Sequence, residues 1–306
     1  MSALRIGIIG GSGLGQELAT NHNDIGRRHD VNTPFGKPSD AIIETQIAGL
    51  TVLILNRHGP GHLLNPSAVP SRANIFALKS LGCTHIIASG AVGSLREELR
   101  PRDVVVVDQF IDKTAGRPGT FFDHAAVHTE FAEPCCPILR KLLIDAAENI
   151  TARAEHDFRV HSRGCYVCME GPAFSTRAES LMHRLWGGDL IGMTALPEAR
   201  LAREAEIPYA LLALVTDYDC WHNKPSDAPA DSAELLKEII ANLQVAMHNT
   251  ITLLQAALAM AKDHQTQLMA APSREALKLA IWSDKSQIAK DEVRRLASLW
   301  GKYFPA

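Results

Sequence analysis

Two carboxylates directly follow a strongly apolar stretch of the sequence. Residues 207–215 (IPYALLALV) are apolar on both alternating faces, which predicts a buried strand of a parallel or mixed sheet. Asp217 and Asp219 come next, and a spacing of two places both side chains on one face if the chain is still extended. Two acids in one site can share a proton, or can accept from two neighbouring donors of one ligand. The alternative is an ordinary loop whose acids cap the next helix or face solvent.

Groups that suit an anion follow two other predicted strands. The glycine-rich turn at residues 10–15 (GGSGLG) includes the Ser12 hydroxyl, and such turns bring backbone amides close to an anion. Arg57 and His58 follow residues 51–56, and an arginine can bind phosphate through two parallel hydrogen bonds. Ligands of open α/β sheets bind outside the carboxyl ends of the strands. The spacing therefore favours an oxyanion site, whereas a dinucleotide fingerprint fails because Gln16 stands where its third glycine belongs.

Strands and helices must alternate to position these residues, and the apolar periodicity predicts that they do. Strands are predicted at 4–10, 41–47, 51–56, 84–89, 103–107, 164–169, 190–194 and 207–215, and helices at 67–81, 137–149, 197–205, 232–262, 273–282 and 285–303. Residues 90–94 are predicted as a turn of small residues, and residues 112–133 as irregular. This order predicts an α/β fold, a three-layer αβα sandwich with a mixed, mostly parallel central sheet over residues 1–262. Residues 263–306 are predicted to form a C-terminal helical extension.

Composition narrows the class of protein. The chain has 306 residues, 46% of them hydrophobic, and a formal net charge of -3, so it lacks the basic footprint of a nucleic-acid or anionic-membrane binder. No signal peptide or membrane span is predicted, which favours a cytoplasmic protein. The six cysteines are predicted to be free thiols, including the pair Cys165 and Cys168, which we expect in the core. The histidines show no zinc spacing, so no metal is expected.

Seven motifs in one order resemble the trimeric purine nucleoside phosphorylase family, in particular its branch that acts on methylthio nucleosides. They are IIGGSG at 8–13, TPFGKPS at 33–39, NRHG at 56–59, MEGP at 169–172, STRAE at 175–179, GMT at 192–194 and TDYDCW at 216–221. The likeness covers about residues 4 to 260. It implies a homotrimeric pentosyltransferase that cleaves methylthioadenosine with inorganic phosphate to adenine and 5-methylthioribose 1-phosphate, in purine and methionine salvage, without a cofactor.

The resemblance also implies a role for individual residues. The implied phosphate ligands are Ser12, Arg57, His58, Gly90, Ala91 and Thr194. The implied nucleoside contacts are Met193 at the ribose, Phe174 and Ser175 at the base, Asp217 at the five-membered ring, Asp219 at the exocyclic amino group, and, near the far end of the sugar, His62 and His128, the latter from a neighbouring subunit. Ser175 and Ala230 are the implied specificity positions.

The chemistry of this reaction suits the two aspartates. Cleavage builds cationic character on the sugar and negative charge on the purine, whose ring nitrogen must receive a proton. Asp217 is the candidate general acid, because a second carboxylate and a pocket that excludes water both raise a carboxyl pKa. Asp219 would accept from the amino group, although the sequence does not decide between the two assignments.

The chain departs from the family pattern at several positions. Gly90 stands where relatives carry a hydroxyl residue, and Ser12 replaces a frequent threonine. Ala230 and Ala233 replace bulkier aliphatic residues, which predicts a wider pocket for the methylthio group. Beyond about residue 262 the sequence diverges, and the C-terminal contact to that group cannot be placed.

Two alternative functions remain open from the sequence. One is a phosphorylase for methylthioinosine or for inosine and guanosine, although oxopurine enzymes carry Asn where Asp217 stands. The other, of a different class, is a catalytically inactive nucleoside-binding protein. The presence of Arg57, His58 and Thr194 argues against that second reading.

Overall fold

The computed structural model describes residues 3–11, 14, 17–18, 26–152, 158–222 and 232–304. The strands are β1 (Arg5–Gly10), β2 (Arg27–His29), β3 (Ile42–Ile47), β4 (Leu50–Asn56), β5 (His85–Ser94), β6 (Val104–Val106), β7 (Gln109–Lys113), β8 (Val160–His161), β9 (Cys165–Met169), β10 (Leu190–Gly192) and β11 (Tyr209–Tyr218). The helices are α1 (Ser71–Ser80), α2 (Pro137–Thr151), α3 (Arg177–Leu185), α4 (Glu198–Glu204), α5 (Ser232–Ala261), α6 (Gln265–Met269), α7 (Lys290–Arg295) and α8 (Ala297–Trp300). Single 3-10 turns occupy Pro60–His62, Pro66–Ala68, Pro272–Glu275 and Gly301–Tyr303.

The eleven strands found among the described residues belong to one mixed sheet that branches at β5. One path runs β2-β3-β4-β1-β5-β10-β9-β7, and β11 pairs with both β5 and β6. The pairs β1-β4, β1-β5 and β5-β11 are parallel, so these four strands present their carboxyl ends at the same edge. The last residues of β5 pair with β10 in the antiparallel sense. The prediction of a mixed, mostly parallel sheet is confirmed.

Helices cover both faces of this sheet and complete the three layers. One core cluster joins the sheet to α1 and α4, through residues such as Ile75, Phe76 and Leu201. The other joins it to α2 and α5, through residues such as Leu139 and Leu254. Burying apolar surface on both faces requires strands that are apolar on both sides, which explains the continuous run in β11.

Three local predictions differ from the structure. Residues 90–94, predicted as a turn, continue β5, because their backbone pairs with β11 and β10. Residues 109–113, of which the last two fall in the segment predicted as irregular, form β7 beside β9. Helix α1 begins at Ser71 rather than at residue 67, after a separate 3-10 turn and Pro70. Proline suits the start of a helix and disfavours helical geometry in the residue before it.

The predicted C-terminal helices at 273–282 and 285–303 are wrong in extent. Ile281 forms a backbone bridge with Val127, and the amide of Trp282 donates to the Ala126 carbonyl at 3.0 Å, so these groups are not available to a helix. Short turns and the helices α7 and α8 take the place of the predicted elements. Residues of this segment, including Leu277 and Trp300, belong to the core cluster on the α1 side of the sheet. The end of α5 at Ala261 is therefore a change of secondary structure within a shared core.

The cysteines agree with the prediction of free thiols. All six are unpaired, Cys168 is buried, and Cys165 is partly buried. In the described ranges, no helix combines the length and apolarity that crossing a membrane requires.

Candidate active site

The predicted ligand groups meet where neighbouring strands end. The amide of Arg57, just after β4, donates to the carbonyl of Gly10 at the end of β1 at 2.9 Å. On the other side of β1, the register between β5 and β11 shifts after Val215, so that Asp217 lies opposite Gly93. A β-bulge of this kind redirects side chains beside a site. The topology thus brings the glycine turn, Arg57 and the aspartates to one edge, as the sequence predicts.

Arg57 is buried and paired with a carboxylate. Its Nε and Nη2 donate to the two carboxylate oxygens of Glu198 at 2.8 and 2.9 Å, and its Nη1 donates to the Ser89 carbonyl at 2.7 Å. Burial lowers the pKa of the guanidinium, but the Glu198 carboxylate outweighs it and holds the pKa above the ordinary value. Arg57 is therefore always charged, and Glu198 neutralises it and fixes its orientation.

The arginine pair lies close to Gly11. A Cβ at Gly11 would lie 3.2 Å from Arg57 Nη1, so the backbone at this residue passes close to the guanidinium. The hydroxyl of Tyr209 donates to Glu198 Oε1 at 2.9 Å and completes a buried set of three. Arg57 binding to phosphate stays a prediction, and such binding would use the guanidinium hydrogens left over from Glu198 and Ser89. Ser12, in the same turn, lies outside the described residues.

His58 is a neutral imidazole at neutral pH. Its Nδ1 lies 2.7 Å from the carbonyl of Leu64, so Nδ1 carries the hydrogen and Nε2 is left as an acceptor. Burial lowers the pKa of His58 to about 4, and the neighbouring Arg57 acts in the same direction. The ring stacks on that of His62 at 4.1 Å. The implied phosphate contact of His58 would therefore be an acceptor for a protonated phosphate oxygen rather than a second cation.

Gly90 and Thr194 lie side by side. A Cβ at Gly90 would lie 3.4 Å from the Thr194 hydroxyl oxygen, and the Thr194 amide lies 3.3 Å from the hydroxyl of Tyr166. Gly90 and Ala91 belong to strand β5 rather than to the predicted turn, and Ala91 is exposed at this point. The implied phosphate residues of β5 and of the segment after β10 are therefore close to each other.

The segment implied to hold the nucleoside lies between β9 and α3. Phe174 is 83% exposed, and the Ser175 hydroxyl lies 3.7 Å from the sulfur of Met169. Thr176 and Glu179 form a capping box at the start of α3. Met193 packs against Gly171, where a Cβ would lie 2.5 Å from the methionine sulfur.

Asp217 and Asp219 have different surroundings. Burial raises the pKa of Asp217 to about 6, and the charge of Asp219 adds to the rise, while a hydrogen bond from the Thr216 hydroxyl at 2.6 Å opposes it. Asp219 is buried, and its Oδ2 has no hydrogen-bond partner among the described residues. A carboxyl with a pKa near the operating pH can deliver a proton, and a buried acceptor without a partner can receive a ligand N–H.

Two residues of this site could not be found from the sequence. Glu198 opens α4, 141 residues from Arg57, and no motif marks it as the arginine's partner. Arg117 donates from Nη1 to the carbonyls of Met193 and Leu196 at 2.7 and 2.9 Å and also pairs with Glu170. It therefore joins the Met193 segment to the segment that follows β9. Nothing in the sequence around Arg117 signals this.

His128 contacts the C-terminal segment. Its amide donates to the Ala280 carbonyl at 2.9 Å, and its ring lies 4.6 Å from that of Trp282, which is 71% exposed. Neither contact joins His128 to the predicted site residues at the strand ends. Ala230 lies outside the described residues, and Ala233 is exposed at the start of α5.

Comparisons with known proteins agree with this arrangement. A model of the phosphorylase superfamily matches residues 5–259. The S-methyl-5'-thioadenosine phosphorylase of Gloeobacter violaceus is 46% identical over 304 residues, which cover 98% of this chain and 96% of that protein. The corresponding enzyme of Xenopus tropicalis is 45% identical over 268 residues, 84% of this chain and 90% of that protein.

Solved structures show the same fold. A methylthioadenosine phosphorylase from an antarctic soil metagenomic library superposes with a TM-score of 0.85 at 44% identity, covering 98% of this chain and 99% of that one. The methylthioadenosine phosphorylase of Schistosoma mansoni in complex with adenine has a TM-score of 0.80 at 37% identity, covering 91% and 99%. The chain therefore belongs to the phosphorylase superfamily, and within it to the S-methyl-5'-thioadenosine phosphorylase family.

Proposed function

We propose that this chain catalyses the phosphorolysis of S-methyl-5'-thioadenosine, releasing adenine and 5-methylthioribose 1-phosphate. The reaction transfers a pentosyl group to inorganic phosphate and salvages the purine and the methionine-derived sugar. The observation that carries the proposal is Asp217, which stands at the bulged end of β11 with a pKa raised to about 6. The proposal is also supported by the family membership of the chain, because the similarity to relatives covers 98% of its length.

Each group at the site has a part in the proposed step. Phosphate, bound beside the Arg57–Glu198 pair and Thr194, attacks the sugar carbon as the bond to the purine breaks. The leaving purine takes a proton on its ring nitrogen from Asp217, so it departs neutral. Asp219 accepts from the exocyclic amino group, which favours an aminopurine over an oxopurine. Phosphate is a co-substrate in this scheme, and the proposal includes no metal or organic cofactor.

A panel of nucleosides tests the substrate part of the proposal. Purified protein would be given methylthioadenosine, adenosine, methylthioinosine and inosine, each with and without phosphate, and free base would be measured. We expect the highest kcat/KM with methylthioadenosine and release that depends on phosphate. A clear preference for an oxopurine nucleoside would support the alternative phosphorylase. Tight binding without any release of base would support the nucleoside-binding protein.

We further propose that the enzyme is a cytoplasmic homotrimer in which His128 completes the site of a neighbour. Its contact with the exposed Trp282 places both rings at the protein surface, where a second copy can cover them. The six free thiols suit a reducing compartment. A cyclic trimer has one repeated interface, so His128→Ala and Asp217→Asn chains mixed in one oligomer should regain activity.

Sedimentation velocity measures the assembly, and activity of the mixed oligomers measures the sharing of sites. A fully active monomer at assay concentration would contradict the shared site.

A further inference from the structure

The wall behind Asp219 holds a second buried polar atom without a partner. Asp219 Oδ2 and His183 Nδ1 both lack a hydrogen-bond partner in the portion of the chain that the structure describes. His183 lies in α3 and is 1% exposed, and Asp219 is 9% exposed. Leaving a donor and an acceptor buried and unpaired costs free energy, so each such pair requires a physical reason.

Lys113 determines which nitrogen of His183 carries the hydrogen. Its Nζ, at the end of β7, lies 3.0 Å from His183 Nε2. An ammonium can only donate, so Nε2 must accept, and the hydrogen of the neutral imidazole is on Nδ1. His183 Nδ1 is therefore a donor and Asp219 Oδ2 is an acceptor, which makes the two unpaired atoms complementary.

The charged groups around His183 keep its imidazole neutral at neutral pH. Burial lowers the pKa of His183, and the Lys113 ammonium lowers it further. Asp219, after β11, and Glu179, on α3 itself, act in the opposite direction. Geometry places α3 against the segment that holds Asp219: the guanidinium of Arg184, the residue after His183, lies 3.4 Å from the centre of the Trp221 ring, and the thiol of Cys220 donates to the Ser175 carbonyl at 3.3 Å.

We propose that His183 is a positioning residue for the Asp219 carboxylate, and so sets the preference for an aminopurine. The imidazole, held in one tautomer by Lys113, pairs its Nδ1–H with Asp219 Oδ2 across one buried water. Buried waters commonly bridge polar groups that have no direct partner. The other carboxylate oxygen then faces the exocyclic amino group of the base. This inference rests on the proposed function, because it assigns Asp219 the reading of that amino group.

The test compares variants that keep or remove the donor. His183→Phe removes it, whereas the matched variant His183→Asn keeps an N–H close to the position of Nδ1. Calorimetry with free adenine and free hypoxanthine, in the presence of phosphate, gives the ratio of the two dissociation constants without requiring turnover. Loss of one hydrogen bond to a charged group corresponds to about tenfold, so we expect His183→Phe to lower the preference for adenine by about that factor. His183→Asn should keep the preference within about threefold of the wild type.

Lys113→Met provides an independent readout. Without the ammonium, either ring nitrogen of His183 can carry the hydrogen, and the imidazole can gain a proton more easily. Asp217 titrates in the wild type and in the variant alike, so the readout is the difference between them: the adenine preference of Lys113→Met relative to the wild type should change between pH 5 and 7. If His183→Phe leaves the ratio of the two dissociation constants unchanged, the proposal is overturned. An equal loss of affinity for both bases would then mean that His183 only packs. If the wild type binds neither base, the proposed function itself is wrong.

Discussion

At the scale of single residues, Asp217 and Asp219 differ in the groups that surround their carboxylates. Asp217 is close to a hydroxyl and to another acid, and burial raises its pKa to about 6. Asp219 is more fully buried, and one of its carboxylate oxygens has no hydrogen-bond partner among the described residues. In the proposed reaction, the same residue type would serve as the proton donor in one place and as the acceptor in the other, because the two environments differ.

The first prediction concerns Asp217 as the acid. Asp217→Asn keeps the shape but cannot transfer a proton, so kcat/KM for an aminopurine nucleoside should fall by about 100-fold or more. Oxopurine nucleosides should lose less, because an amide can donate to the ring nitrogen. In the wild type the rate should fall as pH rises above about 6, where Asp217 loses its proton, and the variant should lack this limb. Thr216→Val, which removes the hydrogen bond that lowers the Asp217 pKa, should move the limb to higher pH.

An equal loss for both kinds of nucleoside, with the pH limb retained in Asp217→Asn, would show that Asp217 is not the acid.

The second prediction concerns the buried pair of Arg57 and Glu198 beside the proposed phosphate site. Removing Arg57 alone would leave an uncompensated buried carboxylate, which costs about 3–5 kcal/mol of stability. The double variant Arg57→Met with Glu198→Gln removes both charges and keeps an acceptor for the Tyr209 hydroxyl. It should fold, and the KM for phosphate should rise by about 30-fold or more, as losing a charged contact of about 2–3 kcal/mol predicts.

The matched control for this variant is Glu204→Gln, which makes the same change on the same helix at a carboxylate that accepts from the Phe121 amide at 2.8 Å. Its phosphate KM should equal that of the wild type. If the double variant also keeps the wild-type phosphate KM, the arginine pair is only structural.

At the scale of elements, strand β5 holds the site together. It pairs with β1, β10 and β11, the strands whose ends carry or precede the glycine turn, Met193 and Asp217. Small residues at its end, such as Gly90, leave room for the Thr194 hydroxyl. A Cβ at Gly90 would be in van der Waals contact with that hydroxyl, which links the sequence of the strand to the shape of the site.

The C-terminal segment is a second element of interest, because it packs against the sheet domain. The carboxylate of Glu206 accepts from the Leu277 amide at 3.1 Å and from the Tyr303 hydroxyl at 2.5 Å, and it also pairs with Lys302 at 2.7 Å. Trp300 is fully buried, and its ring lies 4.7 Å from that of Phe122. Through these contacts, Leu277 and residues 300–303 pack against the sheet domain.

The third prediction follows from this packing. Trp300→Ala should lower the free energy of unfolding by about 3–5 kcal/mol, because the cavity lies within the main core. Leu279→Ala, at a site that is 87% exposed, should change it by no more than about 0.5 kcal/mol. Denaturant titration of both variants provides the measurement. A Trp300→Ala protein as stable as the wild type would show that residues 263–304 are a separable extension.

At the scale of the whole molecule, the sequence predicts what depends on local pattern. The run in β11 and the glycine turn after β1 are local signals, so the sheet, and the edge at which the ligand groups meet, could be predicted. The partnership of Arg57 and Glu198 could not, because it joins residues 141 apart in sequence. The bridge between Val127 and Ile281 joins residues even further apart in sequence, and it overrides the helical pattern of the C-terminal segment. A local sequence pattern does not indicate which distant carboxylate will pair with an arginine, or which distant backbone will pair with a segment.

The central claim, that the whole molecule is a phosphorylase, is tested most directly by following phosphorus. Methylthioadenosine and inorganic phosphate would be incubated with the protein, and phosphorus NMR would be recorded while free adenine is measured in parallel. We predict that a sugar 1-phosphate resonance grows in equal molar amount with adenine, and that no adenine forms when phosphate is left out. Adenine released without consumption of phosphate would make the protein a hydrolase and contradict the account.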